Sequence, residues 1–426
     1  MTDSKLNFIL GRGVVEVIVE QELIKLLESG KILNLKQGFD PSAPDIHLGH
    51  VVGLRKLRQL QELGHKVTLV VGDWTARIGD PSGQSATRPM LSQDEIEANA
   101  QTYMEQFFKV VDKDKTEVRW QSEWYSKFTL DEVIKLTSKF TIAQLLARED
   151  FNNRYSSGSP ISLAEMLYPL LQAYDSVVIK ADVEFGGTDQ KFNCLLGREL
   201  QQIMGQTPQQ VFLVPLLIGT DGAQKMSKSL GNQIGINEPP KETYGKVMSI
   251  PDSLIIDYFE LVTDVPGEEI ANFRDQLSTH SVNPMNIKKR LAHEMVEQFH
   301  GKRAANEAEE NFTKVFQKRE MPEEIPEHLI SATELASLKR FESTESLQQQ
   351  WQQSGLKVSP DDILVDIPHL LASMTLAKSV SEARRLIAQD AVEIDNQRVH
   401  SNVFPIRNDS IVIVGKRRLG KIRLHD

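Results

Sequence analysis

A chain of 426 residues is too long for one ordinary hydrophobic core, so two or three domains are expected. Hydrophobic residues at 40% and charged residues at 25% exclude a disordered chain, and no stretch of 18 uncharged apolar residues marks a membrane span. A net charge of −10 argues against polyanion binding by the whole chain and leaves that question to local patches.

The start, MTDSKLNF, lacks the basic-then-apolar order of a signal peptide, and the single cysteine, Cys194, has no partner for an internal disulfide. A cytoplasmic protein is the expectation. Residues 32–39 read as a strand that opens into Asp40-Pro41-Ser42-Ala43-Pro44, whose prolines stop the extended run. A helix begins near His47, with Val51, Leu54, Leu57 and Leu60 at helical spacing. Residues 67–71 then read as a short buried strand ending at Gly72. Strand, helix and parallel strand make one right-handed crossover unit, so the N-terminal half is expected to hold a parallel α/β sheet.

The segment GFDPSAPDIHLGH sets His47 and His50 three residues apart, on the same side of the helix start. Gly49 between them leaves room for a flat or bulky ligand. A helix N-terminus with unpaired N–H groups favours phosphate, and two imidazoles beside it suit an in-line displacement at phosphorus. An HxxH at a helix start is also met by accident, or as half of a metal site, although no third Cys or His with ligand spacing lies nearby.

Residues 92–180 read as mainly helical, with SQDE at 92–95 supplying a capping box. The apolar run 211–218 leads into a glycine-punctuated loop over 219–231. Within it, DGAQKMSKSLGN carries Lys225 and Lys228 flanked by serines, a set able to close over a polyphosphate. A solvated surface loop is the plainer alternative. Residues 240–320 read as a charged helix bundle and 321–360 as a junction, before a small module from about 361. In that module Ser379-Val380-Ser381-Glu382 reads as a capping box ahead of Ala383-Arg384-Arg385-Leu386-Ile387. Residues 392–399 alternate around an Asp395-Asn396 turn, and 411–414 precede the basic run Lys416-Arg417-Arg418 with Lys421 and Arg423.

A strand–HLGH–helix unit followed far downstream by KMSKS resembles the paired signature of class I aminoacyl-tRNA synthetases. Three further segments resemble the tyrosyl/tryptophanyl branch: Ile78-Gly79-Asp80-Pro81-Ser82-Gly83, Tyr168-Pro169-Leu170-Leu171-Gln172-Ala173-Tyr174-Asp175, and Gly186-Gly187-Thr188-Asp189-Gln190. The similarity to bacterial tyrosyl-tRNA synthetases covers nearly the whole chain, and the last module resembles the S4 RNA-binding domain that ends tyrosine enzymes of bacteria.

The resemblance implies a Rossmann-like parallel-sheet catalytic domain over 1–240, with a helical insertion and the KMSKS loop. It also implies a helical bundle over 241–325 on the anticodon-arm side, a linker over 326–360, and a small α+β S4-like domain over 361–426. It assigns catalysis to His47, His50, Lys225 and Lys228. ATP falls to Gly38, Asp40, Pro41, His47, Gly49, His50, Asp189, Met226, Lys228 and Ser229. Tyrosine falls to Asp80, Tyr168, Gln172, Asp175 and Gln190, with Tyr168, Gln172 and Asp80 around the α-amino group and Asp175 at the phenol. RNA phosphates fall to Arg384, Arg385, Lys416, Arg417 and Arg418. Magnesium would ride on ATP, with no dedicated protein metal site, and tRNA(Tyr) would be the partner of a homodimer formed through the insertion near 120–195. Cys194 has no catalytic part in such a reaction.

Two positions depart from the commoner tyrosine pattern. Lys36 stands where many members have a tyrosine near the phenol, and Lys191-Phe192-Asn193 follows Gln190 where a tryptophan and glycine are commoner. Tryptophan activation, another nucleotidyltransferase, and a non-catalytic RNA-binding protein on a synthetase scaffold are the alternatives.

Overall fold

The apolar run ahead of Asp40 becomes strand β2 (Asn34–Phe39) of a six-stranded sheet in the computed structural model, which describes residues 3–42, 44–82, 91–317, 325–338, 362–415 and 418–425. The other strands are β1 (Glu16–Ile18), β3 (Lys66–Val71), β4 (Thr116–Trp120), β5 (Val183–Gly187) and β6 (Gln210–Val214). Their order is β1-β6-β5-β2-β3-β4, parallel throughout except for β1. From β2 the chain runs outward through β3 to β4, then returns to lay β5 on the other side of β2. The carboxyl ends of β2 and β5 therefore splay apart, and such a switch point is where open α/β sheets bind ligands.

The helix expected near His47 spans Leu48–Gln61 and buries Val51, Leu54, Leu57 and Leu60. The Ser92–Glu95 capping box forms at the head of the Gln93–Phe107 helix, the two residues exchanging N–H bonds of 2.9 and 3.4 Å. Within the stretch expected to be helical, β4 is an extended edge strand paired to β3. Its five residues are all half-buried and show no apolar face, so alternation gave no signal there.

The helix Leu163–Ile179 lies over the sheet and turns Tyr168 and Asp175 inward. The helices from Pro240 onward are knotted to the N-terminal segment by Arg12, whose guanidinium donates to the carbonyls of Phe259, Glu260, Thr263 and Val265 at 2.7–2.9 Å. A cation at the end of the Ile255–Val262 helix satisfies carbonyls that have no helical partner.

Contacts divide the chain into two units, Met1–Glu309 and Glu310–Asp426. The second unit holds a five-stranded sheet and a two-stranded one around a core that includes Val365, Leu370, Ile387, Val412 and Ile422. The expected turn at Asp395-Asn396 has φ of 48° and 65°, the pair of left-handed residues a tight hairpin needs. The capping box at 379–382 is one-sided: Ser379 Oγ accepts from the Glu382 N–H at 3.2 Å, but the Glu382 carboxylate accepts from Lys378 instead. Part of the expected linker is built into this unit, because Glu327–Ile330 pairs in parallel with Arg418–Leu424 and Ala332–Leu338 forms a helix. Among the described residues no helix is long and apolar enough to cross a membrane.

Candidate active site

At the β2/β5 switch point a cavity of about 360 Å³ is lined by residues from all five segments that carry the synthetase resemblance in the first unit. Gly38 and Asp40 end β2, His47, Gly49 and His50 open the helix, and Asp189 and Gln190 follow β5. Asp80, Tyr168, Gln172 and Asp175 form another wall, and Lys225 and Met226 come from the lysine loop.

The two histidines cap their own helix. His47 Nδ1 accepts from the Gly49 N–H and His50 Nδ1 accepts from the His47 N–H, each at 3.2 Å. Burial is the main reason that their pKa values fall, to about 2 for His47 and about 4 for His50. Each ring is thus neutral and holds its one proton on Nε2, a donor left over for a ligand. Gly49 is required here, since a Cβ would lie 2.9 Å from the His47 ring.

The expectation of free N–H groups at this helix end is corrected. Leu48 N donates to Ile234 O, Gly49 N to His47 Nδ1, and His50 N to His47 O. The imidazole Nε2–H groups take over as donors.

The lysine loop reaches the same cleft. His47 pairs with Gly235 as a β-bridge, flanked by Leu48 N to Ile234 O at 3.0 Å and Ile236 N to Ile46 O at 3.2 Å. Lys225 Nζ lies 2.9 Å from Asp189 Oδ2, and Lys228 Nζ lies 4.0 Å from Asp45 Oδ2. Lys228 also helps depress both histidine pKa values. Buried Asn232, which the sequence reading passed over, clasps the loop by accepting from Ser227 N and donating to Asp221 and the Lys225 carbonyl. Ser229 is exposed on the loop, and neither it nor Lys228 nor Pro41 lines the cavity.

On the opposite wall Asp175 accepts from Gln121 Nε2 at 2.8 Å and Trp124 Nε1 at 3.1 Å, while Tyr125 Oη, 3.2 Å from Asp175 Oδ1, shares its one proton with the Leu171 carbonyl at 2.6 Å. Gln121 cannot turn its amide over, because its Oε1 accepts from the Trp74 and Thr75 N–H groups. Burial raises Asp175 to about 7, with Lys36 the largest opposing influence. Asp40 is also raised to about 7 by desolvation, while Thr75 and Tyr168 donate to its two oxygens at 2.7 and 2.9 Å. Tyr168 therefore gives its proton to Asp40 and presents only its oxygen lone pairs elsewhere. Gln121, Trp124 and Tyr125 were missed; Gln121 directly follows β4, a strand with no pattern of its own in the sequence, so nothing there pointed to them.

Lys36 does not face the cavity. It is fully buried, with Nζ 2.8 Å from Glu184 Oε1, 2.7 Å from Ser176 Oγ and 3.0 Å from the Gln172 carbonyl. It holds the helix behind Gln172 and Asp175.

In the second unit Arg384 and Arg385 are exposed on the Val380–Ala388 helix. Arg418 is spent internally, donating to the Leu376 carbonyl at 2.6 Å and to Glu382 at 3.2 Å. Lys416 and Arg417 lie outside the described residues.

A parallel sheet with neutral imidazoles on one side of its switch point and mobile-chain lysines on the other defines a class I nucleotide-activating enzyme. The family described as tRNA synthetases class I (W and Y) matches residues 28–317, and the chain belongs to it. It is 56% identical over 420 residues to a protein of Dehalococcoides mccartyi named Tyrosine--tRNA ligase, covering 99% of both chains. A protein of Thermotoga maritima with the same name is 46% identical over 424 residues, covering 99% of this chain and 98% of that one. The fold is similar to that of a C-terminally truncated Aspergillus nidulans mitochondrial tyrosyl-tRNA synthetase, with a TM-score of 0.62 at 24% identity over 74% of this chain and 95% of that one. A Plasmodium falciparum tryptophanyl-tRNA synthetase shares the fold with a TM-score of 0.56 at 15% identity, over 73% of this chain and 89% of that one.

Proposed function

We propose that the chain is a tyrosine–tRNA ligase, which joins tyrosine to ATP as tyrosyl-adenylate with release of pyrophosphate and then passes the tyrosyl group to tRNA(Tyr). The observation that carries this reading is the floor of the cleft. Asp175, held by fixed donors, is an acceptor buried where an amino-acid side chain would end. Such a floor rewards a phenol O–H and is left unsatisfied by a plain aromatic ring. Full-length relatives named for tyrosine support the same choice over tryptophan.

The tyrosine carboxylate attacks the α-phosphate of ATP in line with the leaving pyrophosphate. The Nε2–H groups of His47 and His50 donate to phosphate oxygens as their charge grows, at a site with little water to compete. Lys225 and Lys228 neutralise the pyrophosphate, with Lys225 moving off Asp189, which then meets the ribose. Gly38 and Gly49 let the nucleotide lie against backbone, beside Asp40 and Met226. Magnesium travels on the ATP phosphates. Asp80, Tyr168 and Gln172 hold the ammonium, and Gln190 the carbonyl. In the second step the terminal ribose hydroxyl of the tRNA attacks the tyrosyl carbonyl and AMP leaves.

The tRNA is gripped through Arg384 and Arg385, with Lys416 and Arg417. Exposed Leu130, Ile134, Ile142 and Leu163 give the helical insertion an apolar face suited to a second copy of the chain, in keeping with a homodimer. The reaction belongs in the cytoplasm. Amino-acid-dependent exchange of pyrophosphate into ATP tests the assignment: tyrosine alone is expected to support it, and exchange with tryptophan in place of tyrosine would overturn it.

A further inference from the structure

Behind the amino-acid wall of the cleft lie two buried polar side chains that do not line it, Arg148 from the helical insertion and Asn193 from the Lys191–Ile203 helix. Arg148 Nη1 donates to Asn193 Oδ1 at 3.0 Å, and Nη2 donates to Ser82 Oγ at 2.5 Å and to Asp80 Oδ1 at 3.4 Å. A guanidinium has no acceptor, so the Asn193 oxygen must face it. The Asn193 amide then points its two hydrogens the other way, and they are given to Gln172 Oε1 and Gln190 Oε1 at 3.0 Å each.

That fixes both glutamines in turn. With its oxygen engaged, Gln190 turns Nε2 onto Asp80 Oδ2 at 2.6 Å and Ser82 Oγ at 3.3 Å. Gln172 turns Nε2 onto Glu184 Oε1 at 3.3 Å and keeps one free lone pair on Oε1. The wall between Gln172 and Asp80 is consequently an acceptor surface, and a cation is the ligand it accepts.

We infer that Arg148 and Asn193 are positioning residues that set the hydrogen-bond polarity of the ammonium site and touch no substrate, Asn193 acting through two glutamines and Arg148 through Asn193 and Asp80. The inference rests on the tyrosine-activation reading and deepens it. Asn193→Asp is the sharpest test. Aspartate is the same size and keeps its bond to Arg148, but it offers acceptors where Asn193 offers donors. Both glutamine amides must then rotate and present N–H groups to the ammonium.

The readout is the KM for tyrosine in pyrophosphate exchange, set against the inhibition constant of 3-(4-hydroxyphenyl)propanoate, which has the phenol and carboxylate but no ammonium. In Asn193→Asp the preference for tyrosine over this probe is expected to fall about tenfold, the worth of one hydrogen bond to a charged group. The KM for ATP is expected to stay unchanged. Arg148→Met, which frees Asn193 to flip, should lower the same preference, whereas Arg148→Lys should retain more of it. An unchanged preference in both Asn193→Asp and Arg148→Met overturns the inference, including the case where tyrosine and probe weaken together. Failure of wild-type protein to exchange with tyrosine is a separate result, which overturns the reading beneath it.

Discussion

His50 caps its helix through Nδ1 and is proposed to donate to phosphate through Nε2, and substitution can separate the two. Asparagine places an acceptor near Nδ1 and keeps the helix cap; glutamine places a donor near Nε2 and keeps the contact with phosphate. His50→Gln is expected to retain more pyrophosphate exchange than His50→Asn, which should lose about 10²-fold in kcat. Urea unfolding should rank them the opposite way, with His50→Gln weaker by about 1 kcal/mol for the lost cap.

Asp175 gives a pH dependence with a definite sign. Its pKa is raised from 3.8 to about 7, so it is a carboxylate at pH 8 and largely protonated at pH 6. A protonated Asp175 no longer accepts the phenol proton, and the tyrosine KM should rise about tenfold from pH 8 to 6. Asp175→Asn should flatten that profile. For stability the same group works the other way: the folded state holds a proton that the unfolded chain releases, so its contribution declines as pH rises from 3.8 to about 7. The histidines oppose it, since their depressed values make stability fall as pH drops below 6.5. Motif residues at this scale were legible because chemistry restricts their type. Their partners were not: that Tyr168 serves Asp40, and that Arg148 crosses from another segment to Asn193, depends on contacts between residues 128 and 45 positions apart.

Among the elements, the buried Lys36–Glu184 pair ties β2 and β5 to the helix Leu163–Ile179. Lys36→Met strands a carboxylate in a dry interior and should cost about 3–5 kcal/mol in urea unfolding, part of which Glu184→Gln restores. If Lys36 instead bound the phenol directly, Lys36→Met would raise the tyrosine KM without weakening the fold. Strands β3 and β6 were legible as apolar runs, because both faces of a central parallel strand are covered, and β2 through the prolines that end it. The edge strand β4 was not, for its half-buried residues need no pattern. The lysine loop read as free to move, yet Asn232 fastens its base. Only contacts across the loop reveal such a clasp.

At the scale of the molecule, the residues proposed for catalysis and those proposed for RNA contact fall in different compact units. A chain ending at Glu309 should keep tyrosine-dependent pyrophosphate exchange and lose about 10²-fold or more in tRNA charging. Reversing both exposed arginines, Arg384→Glu with Arg385→Glu, should weaken charging and flatten its dependence on salt while sparing exchange. Reversal of Arg418 is expected to act through folding of the second unit, since its bonds are internal. The module's presence was legible from its hairpin turn and basic end. Its true start was not, because Glu327–Ile330 joins a strand some ninety residues later in the chain.

The stitch between His47 and Gly235 has a consequence for any motion of the lysine loop. Only residues 229–233 separate Lys228 from Ile234, whose carbonyl is held by Leu48 N, so even fully stretched its backbone stays within about 22 Å of that anchor. The ammonium is on a leash, present at the phosphates at a local concentration that dissolved cations do not match. Ionic strength should therefore touch the first step little, and a few glycines spliced between Gly231 and Ile234 should slow it with every side chain of the site still present.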